Sequence, residues 1–227
     1  MSHRENITTI KAVYNALGPL KDDVVFVGGA TVSLYADRLG PEFRPTDDVD
    51  IVIELWNYDN YAALEEQLRG IGFTNDQDSK IICRYKIGDI KVDVMPTEGS
   101  ILGFNNQWYP EGYKEAIDYE IDENHTVKIF SAPYFLATKL DAFNDRGNND
   151  GRTSGDFEDI VSVLENRSSV WDEMNGAPKP VKEYLKKELN KLLENIFIEE
   201  WISACIDFRS PPSTTWIMER INEFVGS

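Results

Sequence analysis

The chain has 227 residues, a formal net charge of −17 at pH 7 and a hydrophobic content of 41%. That length and apolar content predict a globular protein with one full core or two small lobes, and they exclude an intrinsically disordered chain. The acidic charge argues against a protein that coats nucleic acid broadly, because it repels phosphate backbones. It is compatible with a local basic patch, or with carboxylates gathered around metal ions.

Targeting patterns and the positions of the two cysteines bear on where in the cell the protein is expected to work. No apolar run approaches the roughly 20 residues of a membrane span, and the first residues lack the pattern of a secretory signal. Cys83 and Cys205 lie far apart without neighbouring ligand residues, so we expect reduced, buried thiols. These features predict a cytoplasmic protein.

Short apolar runs alternate with helical patterns in the first half of the chain. The run 24–27 predicts a buried strand that ends at Gly28-Gly29, and the pattern then indicates a helix over 30–39. In chain order, we further predict a strand over 49–55, a helix over 58–70, a hairpin of strands 81–87 and 90–95 joined by Gly88-Asp89, and a strand over 126–130.

The character of the sequence changes after about residue 131, where helical patterns dominate. We predict helices over 132–143, 156–165, 179–195, 197–208 and 213–225, with a polar loop over 144–155. The predicted fold class is α/β (α+β), with an α/β lobe over residues 1–130 and a helical C-terminal lobe over residues 131–227. Ligands often bind in a cleft between lobes, so we expect the second lobe to complete the active-site cleft.

The segment 44–51 carries the most informative acids. Asp48 and Asp50 lie two residues apart at the start of a predicted strand, so their side chains share one face, while Val49 and Ile51 point into the core. Two carboxylates this close repel each other unless a cation neutralises them. Magnesium prefers oxygen ligands and binds through one or two carboxylates together with substrate phosphates. The pair therefore predicts a magnesium site.

Two further features strengthen this prediction. Asp93 alternates with the core-facing Val92 and Val94, so it joins the face of the acidic pair if the two strands are neighbours. Three such acids can hold two metal ions for an in-line displacement at phosphorus. Gly28-Gly29 lets the backbone approach a phosphate at a helix N-terminus, although alone it is more typical of a plain strand-to-helix turn.

The combination of Gly28-Gly29, an Asp-x-Asp pair and a third acid resembles the nucleotidyltransferase superfamily. The finer resemblance is to the AbiEii/MenT-like toxin branch, whose strand motif is matched by Arg44, Thr46, Asp48 and Asp50. A second block of that branch has a helical lysine, a basic loop and Asp-x-x-Asp, matched here by Lys139, Arg146, Arg152, Asp156 and Asp159. The resemblance spans roughly residues 24–165.

The resemblance implies a nucleotidyltransferase-like mixed sheet flanked by helices and a set of residue roles. Asp48 and Asp50 would bind Mg²⁺ or Mn²⁺, with Asp93 as the third metal ligand or the base. Lys139 would contact the triphosphate, and Asp156 would position Lys139 or the nucleotide. The implied nucleotide-binding residues are Gly28, Gly29, Thr31, Arg44, Thr46 and Lys139. Thr31 takes the place of a hydroxyl that many relatives carry where this chain has Ala30.

The activity implied is transfer of a nucleoside monophosphate from a nucleoside triphosphate to an acceptor. By resemblance the acceptor is a tRNA end, which would make the protein a toxin-like growth regulator with a cognate antitoxin. A small molecule such as an antibiotic and a protein side chain are alternative acceptors. Two rival functions stay open, namely a catalytically silent protein that binds nucleotide or a partner, and a phosphohydrolase that uses the same acids.

One basic stripe lies outside the resemblance. Lysines at 179, 182, 186, 187 and 191 recur along one predicted helix. They are typical of a solvated helix face compensated by Glu183 and Glu188, and the alternative is a contact for RNA phosphates.

Overall fold

A seven-stranded mixed sheet organises the N-terminal part of the protein. The computed structural model describes residues 2–38, 43–55, 57–103, 106–148, 150–206 and 212–227. Within those residues the strands are β1 (Val24–Val27), β2 (Asp48–Ile53), β3 (Thr74–Asn75), β4 (Arg84–Ile87), β5 (Ile90–Pro96), β6 (Ile117–Asp122) and β7 (His125–Ile129). They lie side by side in the order β3-β4-β5-β2-β1-β7-β6.

Both parallel and antiparallel pairs occur in this sheet. The strand β2 lies antiparallel to β1 and parallel to β5. The hairpin β4–β5 is antiparallel, as is the hairpin β6–β7, and β7 runs parallel to β1. The strand that begins with the acidic pair is therefore enclosed by neighbours on both sides.

Helices flank the sheet and make up the C-terminal part. In the described residues they are α1 (Ser2–Leu17), α2 (Tyr58–Gly70), α3 (Tyr109–Lys114), α4 (Ala132–Arg146), α5 (Gly155–Asn166), α6 (Val170–Gly176), α7 (Lys179–Leu193), α8 (Ile198–Cys205) and α9 (Thr214–Gly226). Short 3-10 helices span Gly18–Asp22 and Gly29–Leu34. The predicted fold class, a mixed sheet flanked by helices with a helical C-terminal region, is confirmed. None of the helices described is long and apolar enough to cross a membrane.

Side-chain caps and apolar spacing explain where several helices lie. At the start of α2, the Asn57 side chain accepts a hydrogen bond from the backbone amide of Asn60. The Ser154 side chain accepts one from the amide of Phe157 at the start of α5. Each cap satisfies an amide that has no partner within its helix, and so fixes where the helix begins. Ile10, Val13 and Leu17 of α1 are fully buried at helical spacing, and this helix contacts β2, β5 and β7. Helix α1 thereby covers the sheet beside the acidic strand.

The chain forms two compact units. The first comprises Met1–Thr31 and Glu42–Ser131, and the second comprises Val32–Pro41 and Ala132–Ser227. The segment 32–41 thus groups with the C-terminal helices, although the boundary expected from the sequence places it in the first lobe. The second unit has its own aromatic core, in which the rings of Phe143, Phe157 and Trp201 lie with centroids 5.4–6.2 Å apart.

Several elements differ from those predicted. The helix expected over 30–39 is a 3-10 helix that ends at Leu34, and residue 39 lies outside the described residues. The end of the helix expected over 197–208 also lies outside them, since α8 ends at Cys205 and the description stops at residue 206. The elements α1, α3, α6, β3 and β6 have no counterpart in the prediction.

The interior strand β1 should be sensitive to truncation of its buried side chains. Phe26 is fully buried between Ile51 of β2 and Ile129 of β7. Replacement of Phe26 by alanine should lower the free energy of unfolding by about 3–5 kcal/mol, because it removes an aromatic ring and leaves a cavity. Urea unfolding followed by circular dichroism measures this loss. Ile82→Ala is the control, because that side chain is 67% exposed, and an equal loss there would contradict the prediction.

Candidate functional site

The acidic residues of β2 and β5 lie on one face of the sheet. Asp50 is paired in direct register with Asp93 of the neighbouring parallel strand, and Asp48 lies two residues before Asp50 on the same face. Val49 pairs with Val92 on the opposite face, where both are completely buried. Strands β2 and β5 are therefore neighbours, as the grouping of Asp93 with Asp48 and Asp50 requires.

The glycine turn after β1 is fitted against one of these acids. Gly28 has φ +73°, and a Cβ atom built on it would lie 1.9 Å from the Oδ2 atom of Asp50. A side chain at this position would fit only if the Asp50 carboxylate moved, and the left-handed backbone also disfavours one. Gly28 is thus required by the position of the Asp50 carboxylate. A direct contact with phosphate, as implied by the resemblance, stays a prediction.

A basic residue that the sequence analysis overlooked lies among the acids. The Nε and Nη2 atoms of Arg84 donate to the two carboxylate oxygens of Asp93 at 2.7 and 2.8 Å. The same Nη2 atom donates to Oδ2 of Asp48 at 2.5 Å. These bonds and the neighbouring acidic charges raise the pKa of Arg84. The guanidinium therefore neutralises part of the charge that was expected to require a metal ion.

The sequence contained a signal for this contact. The Gly88-Asp89 turn has two residues, so Ile87 pairs with Ile90, and the register places Arg84 opposite Asp93. Opposite charges at directly paired positions of an antiparallel hairpin attract each other. Counting back from the predicted turn would have identified Arg84.

The acids on this face provide oxygen donors for a divalent ion. Within the described part of the chain, no group of three or more His, Cys, Asp or Glu side chains has the arrangement of a metal site. Each oxygen of Asp93 accepts one hydrogen bond from Arg84, so Arg84 would compete with a metal ion for the expected third ligand. Asp48 and Asp50 still fit Mg²⁺, which commonly uses one or two carboxylates together with substrate phosphates.

Neither cysteine adds a metal ligand or nucleophile to this site. Burial, with a further contribution from the Asp93 carboxylate, raises the pKa of the Cys83 thiol to about 12. Burial likewise raises the pKa of Cys205 to about 12. A protonated thiol is a poor nucleophile, and both cysteines are free, so they fit the expected reduced thiols. Cys83 is buried as expected, whereas Cys205 is only half-buried.

The other residues implied to bind nucleotide have definite positions. The Thr31 side chain is fully buried and its hydroxyl donates to the carbonyl oxygen of Gly28 at 2.9 Å, so it stabilises the glycine turn. Arg44 is exposed and Thr46 is half-buried. The buried side chain of Asn6 bridges their backbones, donating to the Arg44 carbonyl oxygen and accepting from the Thr46 amide. Asn6 thus holds the segment that leads into β2, a role the sequence analysis missed.

The second unit brings together the residues of the second sequence block. The buried ammonium group of Lys139, on α4, lies 3.1 Å from Asp156 and 2.6 Å from Asp159, both on α5. Arg146 also donates to both oxygens of Asp156 at 2.8 and 2.9 Å. Burial alone would raise the pKa of Asp156, but the Arg146 hydrogen bonds and the Lys139 charge lower it below its usual value. Asp156 therefore contacts Lys139, and both its positioning role and the contact of Lys139 with a triphosphate stay predictions.

The remaining basic residues are largely compensated by acids or carbonyl oxygens. Arg152 pairs with Asp150 at 2.9 Å and with Glu200 at 3.2 Å. On α7, Lys182 donates to the carbonyl oxygen of Asn175, and Lys191 donates to Asn144 at 2.8 Å. These contacts favour the solvated-helix interpretation of the lysine stripe over a surface for RNA phosphates.

Comparison with known proteins leaves the family open. The chain matches no protein-family model, and it matches none of the curated proteins. The resemblance to nucleotidyltransferases therefore depends on the motifs quoted above.

The contact between Gly28 and Asp50 can be isolated with a matched glycine. Gly18→Ala places a side chain at φ +55° with nothing within 4 Å, whereas Gly28→Ala adds a collision with Asp50 to a similar backbone strain. Each variant should lose about 1–2 kcal/mol through its backbone, and Gly28→Ala should lose more.

Thermal melting of both variants measures the difference. Adding Asp50→Ala to Gly28→Ala should recover only part of it, because the Asp50 Cβ atom itself lies 3.0 Å from the new methyl group. Equal losses for the two glycine variants would show that Asp50 imposes no constraint on Gly28.

The buried charges around Lys139 make a pH-dependent prediction. Lys139→Met should lower the free energy of unfolding by about 3–5 kcal/mol at pH 7, because it removes the buried cation that Asp156 and Asp159 share, while Asp156 keeps its contact with the exposed Arg146. The lowered pKa of Asp156 stabilises the fold above the unfolded value of about 4, and that contribution is lost as pH falls through the folded value.

The difference between Lys139→Met and the wild type should therefore narrow as pH drops from 7 towards 3. Urea unfolding across this range measures it. Lys187→Met is the control, since that side chain is 77% exposed and should show no measurable loss. A difference that stays constant with pH would show that lost packing, and not charge, causes the effect.

Proposed function

We propose that this protein is a divalent-metal-dependent nucleotidyltransferase that moves a nucleoside monophosphate from a nucleoside triphosphate to an acceptor and releases pyrophosphate. The single observation that carries the proposal is the placement of Asp50. It shares a face with Asp48, pairs in register with Asp93, and lies so close to Gly28 that a side chain at position 28 would displace its carboxylate.

That placement supports the proposal because carboxylates that can bind a metal ion lie beside the glycine turn that follows β1. Asp48 and Asp50 supply the carboxylates that Mg²⁺ or Mn²⁺ prefers, and the ion would neutralise the phosphate charge that the acids alone would repel. A glycine turn beside the ligands lets backbone amides approach phosphate oxygens. Catalysis would come from positioning and charge neutralisation, as in phosphoryl transfer generally.

The family resemblance extends the proposal to the acceptor. It favours a tRNA end, and hence a toxin-like regulator with a cognate antitoxin, with a small molecule such as an antibiotic as the alternative. Lys139 is proposed to contact the triphosphate. Its pairing with Asp156 and Asp159 would hold the ammonium group in place, so Asp156 acts as a positioning residue.

A catalytically silent protein of the same fold is the second candidate, and Arg84 is the observation that favours it. Mutually repelling acids would have no structural reason to persist without a metal ion, but Arg84 gives two of them a partner within the chain. The acids could then serve stability alone. Activity and metal binding separate the two candidates.

The decisive experiment uses α-labelled nucleoside triphosphates with total cellular RNA and magnesium. Label should appear in RNA in the size range of tRNA, and both EDTA and the paired change Asp48→Asn with Asp50→Asn should abolish it. Asp47→Asn is the matched control, because that neighbouring carboxylate is exposed and precedes β2.

Each result distinguishes one alternative. Label in a small molecule instead of RNA would replace the tRNA acceptor and keep the transferase. Release of free nucleotide and phosphate would indicate a phosphohydrolase. No product with any of the four nucleotides, together with magnesium binding that is unchanged in the paired variant, would contradict the proposed function.

A further inference from the structure

Arg84 occupies a position in the acid cluster that the proposed reaction does not explain. Its side chain is only 14% exposed, and that of Asp93 only 10%, so their bidentate pair is largely withdrawn from water. Asp48 is more open, at 31%. The Arg84 guanidinium therefore binds the Asp93 carboxylate through two nitrogens, and one of them, Nη2, also donates to Asp48.

From this arrangement we propose that Arg84 is a built-in counter-cation, which takes Asp93 out of the metal site and competes with a divalent ion for Asp48. This inference rests on the proposed function, because it concerns the same acids. It assigns Asp93 as a positioning residue for Arg84 and leaves Asp48 and Asp50 as the metal ligands. It also implies that the site takes one divalent ion and not two.

The competition follows from the donor atoms. Both oxygens of Asp93 already accept charge-assisted hydrogen bonds, which are the stronger kind in proteins. An ion that bound Asp93 would compete with both of these bonds, and their loss would leave the largely buried guanidinium with only its bond to Asp48, which is costly. At Asp48, by contrast, an ion would compete with a single hydrogen bond from Arg84, the one to Oδ2.

A neighbouring lysine provides the matched control. Lys86 lies two residues after Arg84 on β4, so it shares the same face of the sheet, but it pairs with Asp76 at 2.7 Å. Removal of either cation changes the net charge by the same amount. Only Arg84 contacts the proposed metal ligands.

The test measures Mn²⁺ binding by electron paramagnetic resonance and by calorimetry, without nucleotide or turnover. Wild type should bind one ion per chain, and Arg84→Met should bind Mn²⁺ about tenfold more tightly, because the competing hydrogen bonds are gone. Lys86→Met should match wild type. Arg84→Met should also melt at a lower temperature than wild type without metal and recover when Mn²⁺ is added, which a purely structural role would not produce.

Three further variants keep the proposal testable if Arg84→Met does not fold. Arg84→Lys keeps the charge but loses the planar fork, so its affinity should lie between those of wild type and Arg84→Met. Asp93→Asn should leave most Mn²⁺ binding intact, whereas Asp48→Asn should abolish it.

The outcomes separate this inference from the proposed function. Unchanged Mn²⁺ affinity in both Arg84 variants, or two ions bound per wild-type chain, would overturn the role of Arg84 and leave the transferase proposal standing. A loss of Mn²⁺ binding in Asp93→Asn as large as in Asp48→Asn would show that Asp93 is a metal ligand. Absence of Mn²⁺ binding in every variant would overturn the role of Arg84, and its absence when a nucleoside triphosphate is also present would overturn both proposals.

Discussion

The pairing of Arg84 with Asp93 and Asp48 is the interaction on which the acidic end of the sheet depends. Direct register between β2 and β5 brings Asp50 beside Asp93, and alternation along β2 adds Asp48 to the same face. Three carboxylates this close destabilise a fold unless a cation lies among them. The tight β4–β5 hairpin supplies that cation from within the chain, because its register leaves Arg84 opposite Asp93.

This arrangement changes the physical argument for a metal. Repulsion between Asp48 and Asp50 no longer demands an ion by itself, since a guanidinium already offsets part of the charge. The stronger support is steric, because a side chain on Gly28 would displace the Asp50 carboxylate that lies against it. A purely structural salt bridge between Arg84 and Asp93 would place no such demand on the turn after β1.

Much of the fold could be predicted from the sequence, and the failures have physical causes. The helix Tyr58–Gly70 and the β4–β5 turn follow from apolar periodicity and turn chemistry, which are local. The segment after Gly28 forms a 3-10 helix because the Thr31 hydroxyl and amide both bond the Gly28 carbonyl oxygen, a tight turn that periodicity does not reveal. Strand β6 is an edge strand with no fully buried residue, so its pattern carries little signal. Of the candidate site, the acids could be found from spacing, whereas Arg84 required the register of a hairpin.

Charge decides the order in which ligands would reach the proposed site. Arg84 compensates one of three carboxylates, so its neighbourhood keeps an excess of negative charge in a protein that is itself strongly acidic. A bare triphosphate would be repelled from such a surface, and the repulsion falls once a divalent ion has bound. Lys139 cannot substitute for that ion, because its charge is already matched by Asp156 and Asp159 within its own unit. The metal would therefore be the element that makes the acidic strand end compatible with a nucleotide, and Arg84 would set how readily the metal enters.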